Sequence, residues 1–245
     1  MILEIPVFDI HSAIITQNAG AHRLELCSSI SEGGITPSHG TILWAKQHLT
    51  IPFFVMIRPR GGGFVYSDEE IQIMKNDIEF CREVGVDGVV FGILKDDGTV
   101  DKEKCRLLLQ VSKNMQATFH RAFDRSSNPF MALEDIIQCG FKRILTSGLK
   151  ETAPQGADLI AELVKTAGNR IIIMPGSGVD ENNLLNLHNK CNAQEYHSSA
   201  KISINRQSHA VNMSSTNQNS IEWSVSAEKI KKMLEILTNF NQKKQ

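Results

Sequence analysis

The sequence predicts a single (β/α)8 TIM barrel spanning residues 1–245. Eight short apolar runs alternate with longer segments of helical period through the whole chain. No second run of strands follows to build another layer. The length, 245 residues, also suits one barrel. An open doubly wound sheet would use fewer strands and an early Gly-x-Gly-x-x-Gly turn, which this chain lacks.

The expected strands are 2–7, 23–27, 53–58, 88–92, 116–120, 143–147, 170–174 and 194–198. Between them, Ile71, Met74, Ile78, Cys81 and Val84 share one helical face, and Ser67 with Glu70 forms a capping box at its start. Pro37 behind Thr36 and Pro129 behind Asn128 suit first helical positions after a capping side chain. A last helix, 227–240, begins behind Ser226 and turns Ile230, Met233, Leu234 and Leu237 inward. Residues 202–222 are rich in Ser, Asn and Gln without a period, and read as a flexible loop after strand eight.

Strand side chains alternate between the helices and the barrel interior. With Leu3, Ile5, Leu24, Leu26, Val55, Ile57, Ala117, Phe119, Ile171 and Ile173 facing the helices, the alternates face inward. These are Glu4, Pro6, Arg23, Glu25, Cys27, Met56, Arg58, Thr118, His120, Ile172 and Met174, with Glu195 and His197 from strand eight. So many charges inside require partners or an open pocket. Glu4, Arg23 and Glu195 can serve simply as an internal network that fixes strand register. Glu25, Cys27, Arg58, His120 and His197 fall at the C-terminal ends of their strands, where barrels keep their sites.

Arg60, Arg121 and Asp124 join that end from the loops, which makes a ligand pocket the expected use of it. His120 reads as a general base oriented by Asp124 or Glu25. Arg58 and Arg60 read as clamps for a small anionic ligand, beside the Gly176–Gly178 turn after strand seven and Ser198 after strand eight. Cys27, Met56, His120 and His197 offer soft and imidazole donors that suit Cu(I). The four other cysteines, Cys81, Cys105, Cys139 and Cys191, fall in helical segments and read as packing residues.

Composition narrows the function classes. A formal net charge of -1 with mixed signs gives no basic stripe for nucleic acid. An odd count of five cysteines without a Cys-x-x-Cys pair argues against a disulfide framework and for a reducing compartment. No apolar run approaches the roughly 20 residues that cross a bilayer, and no secretory leader opens the chain, so a cytoplasmic protein is expected. The oligomeric state, including a homo-oligomer, stays open at this level.

The stretches Arg23-Leu24-Glu25-Leu26-Cys27-Ser28, Val55-Met56-Ile57-Arg58-Pro59-Arg60-Gly61-Gly62, Thr118-Phe119-His120-Arg121-Ala122-Phe123-Asp124 and Ile173-Met174-Pro175-Gly176 resemble the CutC copper homeostasis family. The match is collinear over about residues 1–200. The resemblance implies a (β/α)8 barrel in the cytoplasm with a role in copper handling and, for some members, bound Cu(I). Members with a Cu(I) site carry a second cysteine near the end of strand one, where this chain has Pro6. It also has Gly176-Ser177-Gly178 where three glycines are common, and Ser198 where some members have cysteine. A copper site here would therefore rest on Cys27 with Met56, His120 or His197. A barrel enzyme acting on a small anionic or phosphorylated substrate is the alternative reading.

Overall fold

The computed structural model describes residues 1–204 and 222–242. Eight parallel strands form one sheet: β1 (Ile2–Val7), β2 (Arg23–Leu26), β3 (Phe53–Met56), β4 (Gly88–Phe91), β5 (Gln116–Phe119), β6 (Arg143–Thr146), β7 (Ile172–Pro175) and β8 (Glu195–His197). They pair in chain order from β1 to β7, and β8 joins the free side of β1. β7 and β8 lie side by side, so the sheet curls into a nearly closed barrel. The helices are α1 (Ile10–Asn18), α2 (His39–His48), α3 (Asp68–Val84), α4 (Lys102–Ser112), α5 (Pro129–Cys139), α6 (Ala157–Ala167), α7 (Leu184–Cys191) and α8 (Ala227–Gln242).

The strands are mostly shorter than expected, and apart from Gln194 before β8 and the start of β7 the losses fall at one end. Cys27, Arg58, Gly92, His120, Ser147 and Ser198 lie just beyond their ladders, where the chain turns into loops. β7 instead starts two residues late, because Arg170 folds back onto the end of α6 through the carbonyls of Thr166 and Ala167.

The alternation of side chains holds. Leu3, Ile5, Leu24, Leu26, Val55, Ile57, Ala117, Phe119, Ile171 and Ile173 all belong to the large apolar layer between sheet and helices. Inside the barrel the apolar content is small: Cys27, Phe54, Met56 and Val90 form a separate cluster, capped by Phe8. The helical cysteines Cys81, Cys105 and Cys191 are buried in the outer layer, with Cys139 packed at its edge.

Local signals explain most helix starts. Ser67 and Glu70 form the expected capping box on α3, and Asn128 caps α5 with Pro129 in its first turn. For α2 the cap is Ser38, which accepts from the Thr41 N–H, and not Thr36. The Thr36 hydroxyl instead bonds the backbone of Arg58, so Pro37 precedes the helix and does not start it. The Lys229 N–H bonds the Ser226 hydroxyl at the start of α8, whose Ile230, Met233 and Leu237 are buried.

The stretch read as a loop, 202–222, is ordered at both ends. β9 (Lys201–Ile204) and β10 (Glu222–Val225) pair antiparallel, with Lys201 Nζ 4.5 Å from the centre of the Trp223 ring. Residues 205–221, on which the rest of that expectation falls, lie outside the described residues.

Candidate functional site

The parallel register sets β1, β2 and β8 so that Glu4 lies opposite both Arg23 and His197. Arg23 donates from Nε to Glu4 and from Nη2 to Glu195, each at 2.5 Å. Arg143 on β6 donates from Nε to the same Glu195 oxygen at 3.0 Å. It also reaches Thr118 and Gln116. The two guanidiniums stand over the Phe54 ring, 4.8 and 4.9 Å from its centre. Arg143 was not among the expected inward residues. The same alternation in strand six, Arg143 then Leu145, would have placed it there.

Burial alone would raise the Glu4 carboxyl, but Arg23 and His197 hold it down at about 2. Glu4 is therefore a carboxylate, and the 2.8 Å contact puts a hydrogen on His197 Nδ1. Burial pulls the His197 imidazole down, yet its bond to Glu4 and the nearby Glu25 raise it above the ordinary value.

Glu25, the next inward residue of β2, has no arginine on its oxygens among the described residues. Burial pushes its carboxyl up to about 7, against the opposing pull of His197. Its Oε1 is buried without a hydrogen-bond partner. Its Oε2 accepts from the Cys27 thiol at 3.5 Å. Burial, then the Glu25 charge, keep the Cys27 thiol well above its usual range, so it carries its proton.

A folded-state pKa raised above the unfolded one makes ionisation of Glu25 unfavourable to folding. Its favourable share is full below about pH 4.5 and is lost as pH rises through about 7. Glu25→Gln should therefore be more stable than wild type at pH 8, with the difference shrinking toward pH 5. Urea midpoints at the two pH values measure this, and a pH-independent difference would contradict it.

His120 follows β5 and folds inward because Gly92 leaves it room: a Cβ on Gly92 would meet its Nδ1 at 2.8 Å. The ring stacks at a tilt on Phe64, centres 4.8 Å apart. Nδ1 accepts from the Ala122 N–H at 3.2 Å, which leaves the ring hydrogen on Nε2, and Nε2 is buried without a partner. Burial and the Arg58 charge lower its pKa to about 3, so the ring is neutral. Ala122 orients it, where Asp124 or Glu25 was expected.

Asp124 is committed elsewhere. It sits in the 3-10 turn Arg121–Arg125 and accepts from the Thr146 hydroxyl, from the Ser147 N–H and hydroxyl, from the Leu149 N–H and from Arg121 Nε. This ties the loop after β5 to the loop after β6. With Nδ1 occupied and Asp124 turned away, His120 lacks the acid–base partner that the enzyme reading expected.

The expected anion clamps also separate. Arg58 is buried and donates to the carbonyls of Glu32 and Gly34 through Nη1 and of Gly62 through Nη2. It thereby clasps the loops after β2 and β3 together. Arg60 turns outward into an ion pair with Glu70 and carbonyls of its own loop. The Gly176 N–H continues the ladder to Thr146, and Gly178 packs against Thr152. The Ser198 hydroxyl is buried between the Val179 carbonyl and the Ala200 N–H.

The four expected copper donors fall into three places. Cys27 and Met56 share the inner apolar cluster, and both flank Gly34, whose Cβ would lie 3.4 Å from Sγ and 3.5 Å from the Met56 methyl. His120 lies against Phe64, and His197 against Glu4. Among the described residues no three His, Cys, Asp or Glu side chains gather as a metal-binding set.

At the same end of the barrel a cavity of about 620 Å³ opens between the loops after β2, β3, β5 and β6. Arg58, Phe64, Arg121, Arg125 and Lys150 line it, facing Glu32, Asp124 and Glu151. Of these only Arg58, Arg121 and Asp124 were expected. The others sit on loops, where no periodicity marks which side chains turn inward.

The family model described as the CutC family matches residues 1–202. The copper homeostasis protein cutC homolog of Homo sapiens is 46% identical over 200 residues, covering 82% of this chain and 73% of that protein. A CutC family protein of Parabacteroides distasonis is 49% identical over 201 residues, covering 82% and 83%. The crystal structure described as CutC from Streptococcus agalactiae superposes with a TM-score of 0.78 at 34% identity, over 81% of this chain and 98% of that one. Phosphoribosyl anthranilate isomerase from Thermotoga maritima, with a TM-score of 0.60 over 98% of this chain and all of its own, is only 12% identical and shares the barrel alone. This chain belongs to the CutC family.

Proposed function

We propose that this protein serves copper homeostasis by binding Cu(I) as cargo through the Cys27 thiolate and the Met56 thioether. The observation that carries this reading is their shared position around Gly34, in a cluster closed by Phe8, Phe54 and Val90. Two soft sulfur donors in an apolar, water-poor setting suit Cu(I) over harder ions. Pro6 pairs with Glu25 in the β1–β2 register, so β1 brings no second thiol to this place.

The thiol must lose its proton to bind metal. Glu25 supports that step, since its carboxyl titrates near neutrality and already accepts from Sγ. The proton passes from Cys27 Sγ to Glu25 Oε2 as the sulfur–copper bond forms. His120 and His197 stay with their own partners and contribute no donor in this arrangement. A reducing cytoplasm suits the reading as well, because all five cysteines are free. No helix among the described residues is long and apolar enough to cross a membrane.

Titration of the reduced protein against a competing Cu(I) chelator tests the proposal. About one Cu(I) per chain should bind, with affinity rising as pH rises and the thiol proton is lost. Cys27→Ser should abolish binding and Met56→Leu should weaken it about tenfold or more. Unchanged binding in Cys27→Ser would overturn the reading.

A further inference from the structure

We propose that the cavity between the loops after β2, β3, β5 and β6 binds a small metabolite bearing a carboxylate or a phosphate, held by Arg58, Arg125 and Lys150. The site is separate from the Cys27–Met56 cluster: neither sulfur residue lines the cavity. Its volume, about 620 Å³, is in the range of pockets for small metabolites.

The first ground is the state of Arg58. Arg58 is 6% exposed, yet it donates to the carbonyls of Glu32, Gly34 and Gly62 and pairs with no carboxylate among the described residues. Buried charges in proteins are ordinarily paired, because desolvation without a countercharge is costly. Three N–H groups are used by Glu32, Gly34 and Gly62, while Nε is buried without a partner. The free Nε–H and the second Nη2–H are donors of the kind that grips two oxygens of one carboxylate or phosphate. The buried Tyr66 hydroxyl lies beside the Arg58 guanidinium, which opposes the rise that burial gives its pKa.

The second ground is the charge balance of the walls. Four cationic side chains line the cavity, Arg58, Arg121, Arg125 and Lys150, against the three carboxylates of Glu32, Asp124 and Glu151. Arg121 and Asp124 neutralise each other at 2.8 Å, which leaves three cations against two carboxylates. Among the described residues Arg125 and Lys150 form no ion pair. Arg125 and Arg58 stand over the same Phe64 ring, 5.7 and 5.1 Å from its centre, so one aromatic side chain positions both guanidiniums at the cavity. A small anion there would supply the countercharge that the protein itself does not.

Calorimetric titration of the full chain without metal tests this, using 2-phosphoglycolate and malonate as the two anionic probes and malonamide as the neutral control. One or both anions should bind with a Kd below about 1 mM at low ionic strength and weaken as salt is raised, and malonamide should not bind. The phosphate and carboxylate arms decide which oxyanion is preferred. Arg125 and Lys150 are exposed, so the R125A/K150A double variant should keep the wild-type melting temperature and raise Kd about tenfold or more. Cys27→Ser should bind the anions as wild type does, which separates this site from the copper proposal. Absence of binding at about 10 mM of both anions, equal binding of malonamide, or an unchanged Kd in the double variant would overturn it.

Discussion

Glu195→Ala is expected to destabilise the protein by about 3–5 kcal/mol. Glu195 accepts from Arg23 and from Arg143 at one buried oxygen, so its loss leaves two guanidiniums inside the barrel with one carboxylate, Glu4, between them. Glu4 already serves Arg23 and His197, and Arg143 would keep only the neutral Thr118 and Gln116. Equilibrium urea unfolding should show a lower midpoint with little change in slope. A loss under about 1 kcal/mol would mean that water reaches the network and already screens these charges. Replacing Arg23, Arg143 and Glu195 together by apolar residues should cost less than the single change, because no charge is then stranded.

Asp124→Ala is the second large effect, about 2–4 kcal/mol. The side chain is 8% exposed and its oxygens hold Thr146, Ser147, Leu149 and Arg121 at once. Removing it leaves buried donors with no acceptor and frees the loop after β6 from the loop after β5. Amide exchange at Ser147 and Leu149 should accelerate by more than exchange in the strands. An unchanged exchange pattern would show that the Ser147 hydroxyl, which also bonds the Lys150 carbonyl, holds the loop by itself. Asp124→Asn should fall between, since an amide keeps one acceptor oxygen and loses the charge.

Periodicity made the barrel legible. The outward set from Leu3 to Ile173 and the inward set from Glu4 to Met174 follow from alternation alone, because a strand has only two faces. Strand ends were less legible: nothing in Arg58 or His120 says that the ladder stops one or two residues before them. The hairpin of β9 and β10 was missed, since each strand is four residues long and its pairing is not local in sequence.

Site residues divide the same way. Alternation put His120, Arg58, Glu25 and Cys27 at one end of the barrel, and they are there, buried. Their partners could not be read. Arg60 looked equivalent to Arg58, yet it pairs with Glu70 outside while Arg58 clasps two loops within. Asp124 looked like a companion of His120, yet its oxygens are taken by Thr146 at the end of β6, by Ser147 and Leu149 in the loop after it, and by Arg121. A side chain on a loop has several donors and acceptors within reach, and three-dimensional packing chooses among them.

By itself, then, the sequence determined the (β/α)8 barrel, the charged interior and the position of Cys27 within it, through hydrophobic period and residue type. Only the tertiary structure decided that Glu195 bridges two arginines, that Glu25 is left without one, and that Arg58, Arg125 and Lys150 meet at one cavity. The reason is physical. Which face a side chain takes is set by neighbours in the chain, whereas its charge partner is set by strands and loops brought together across the barrel.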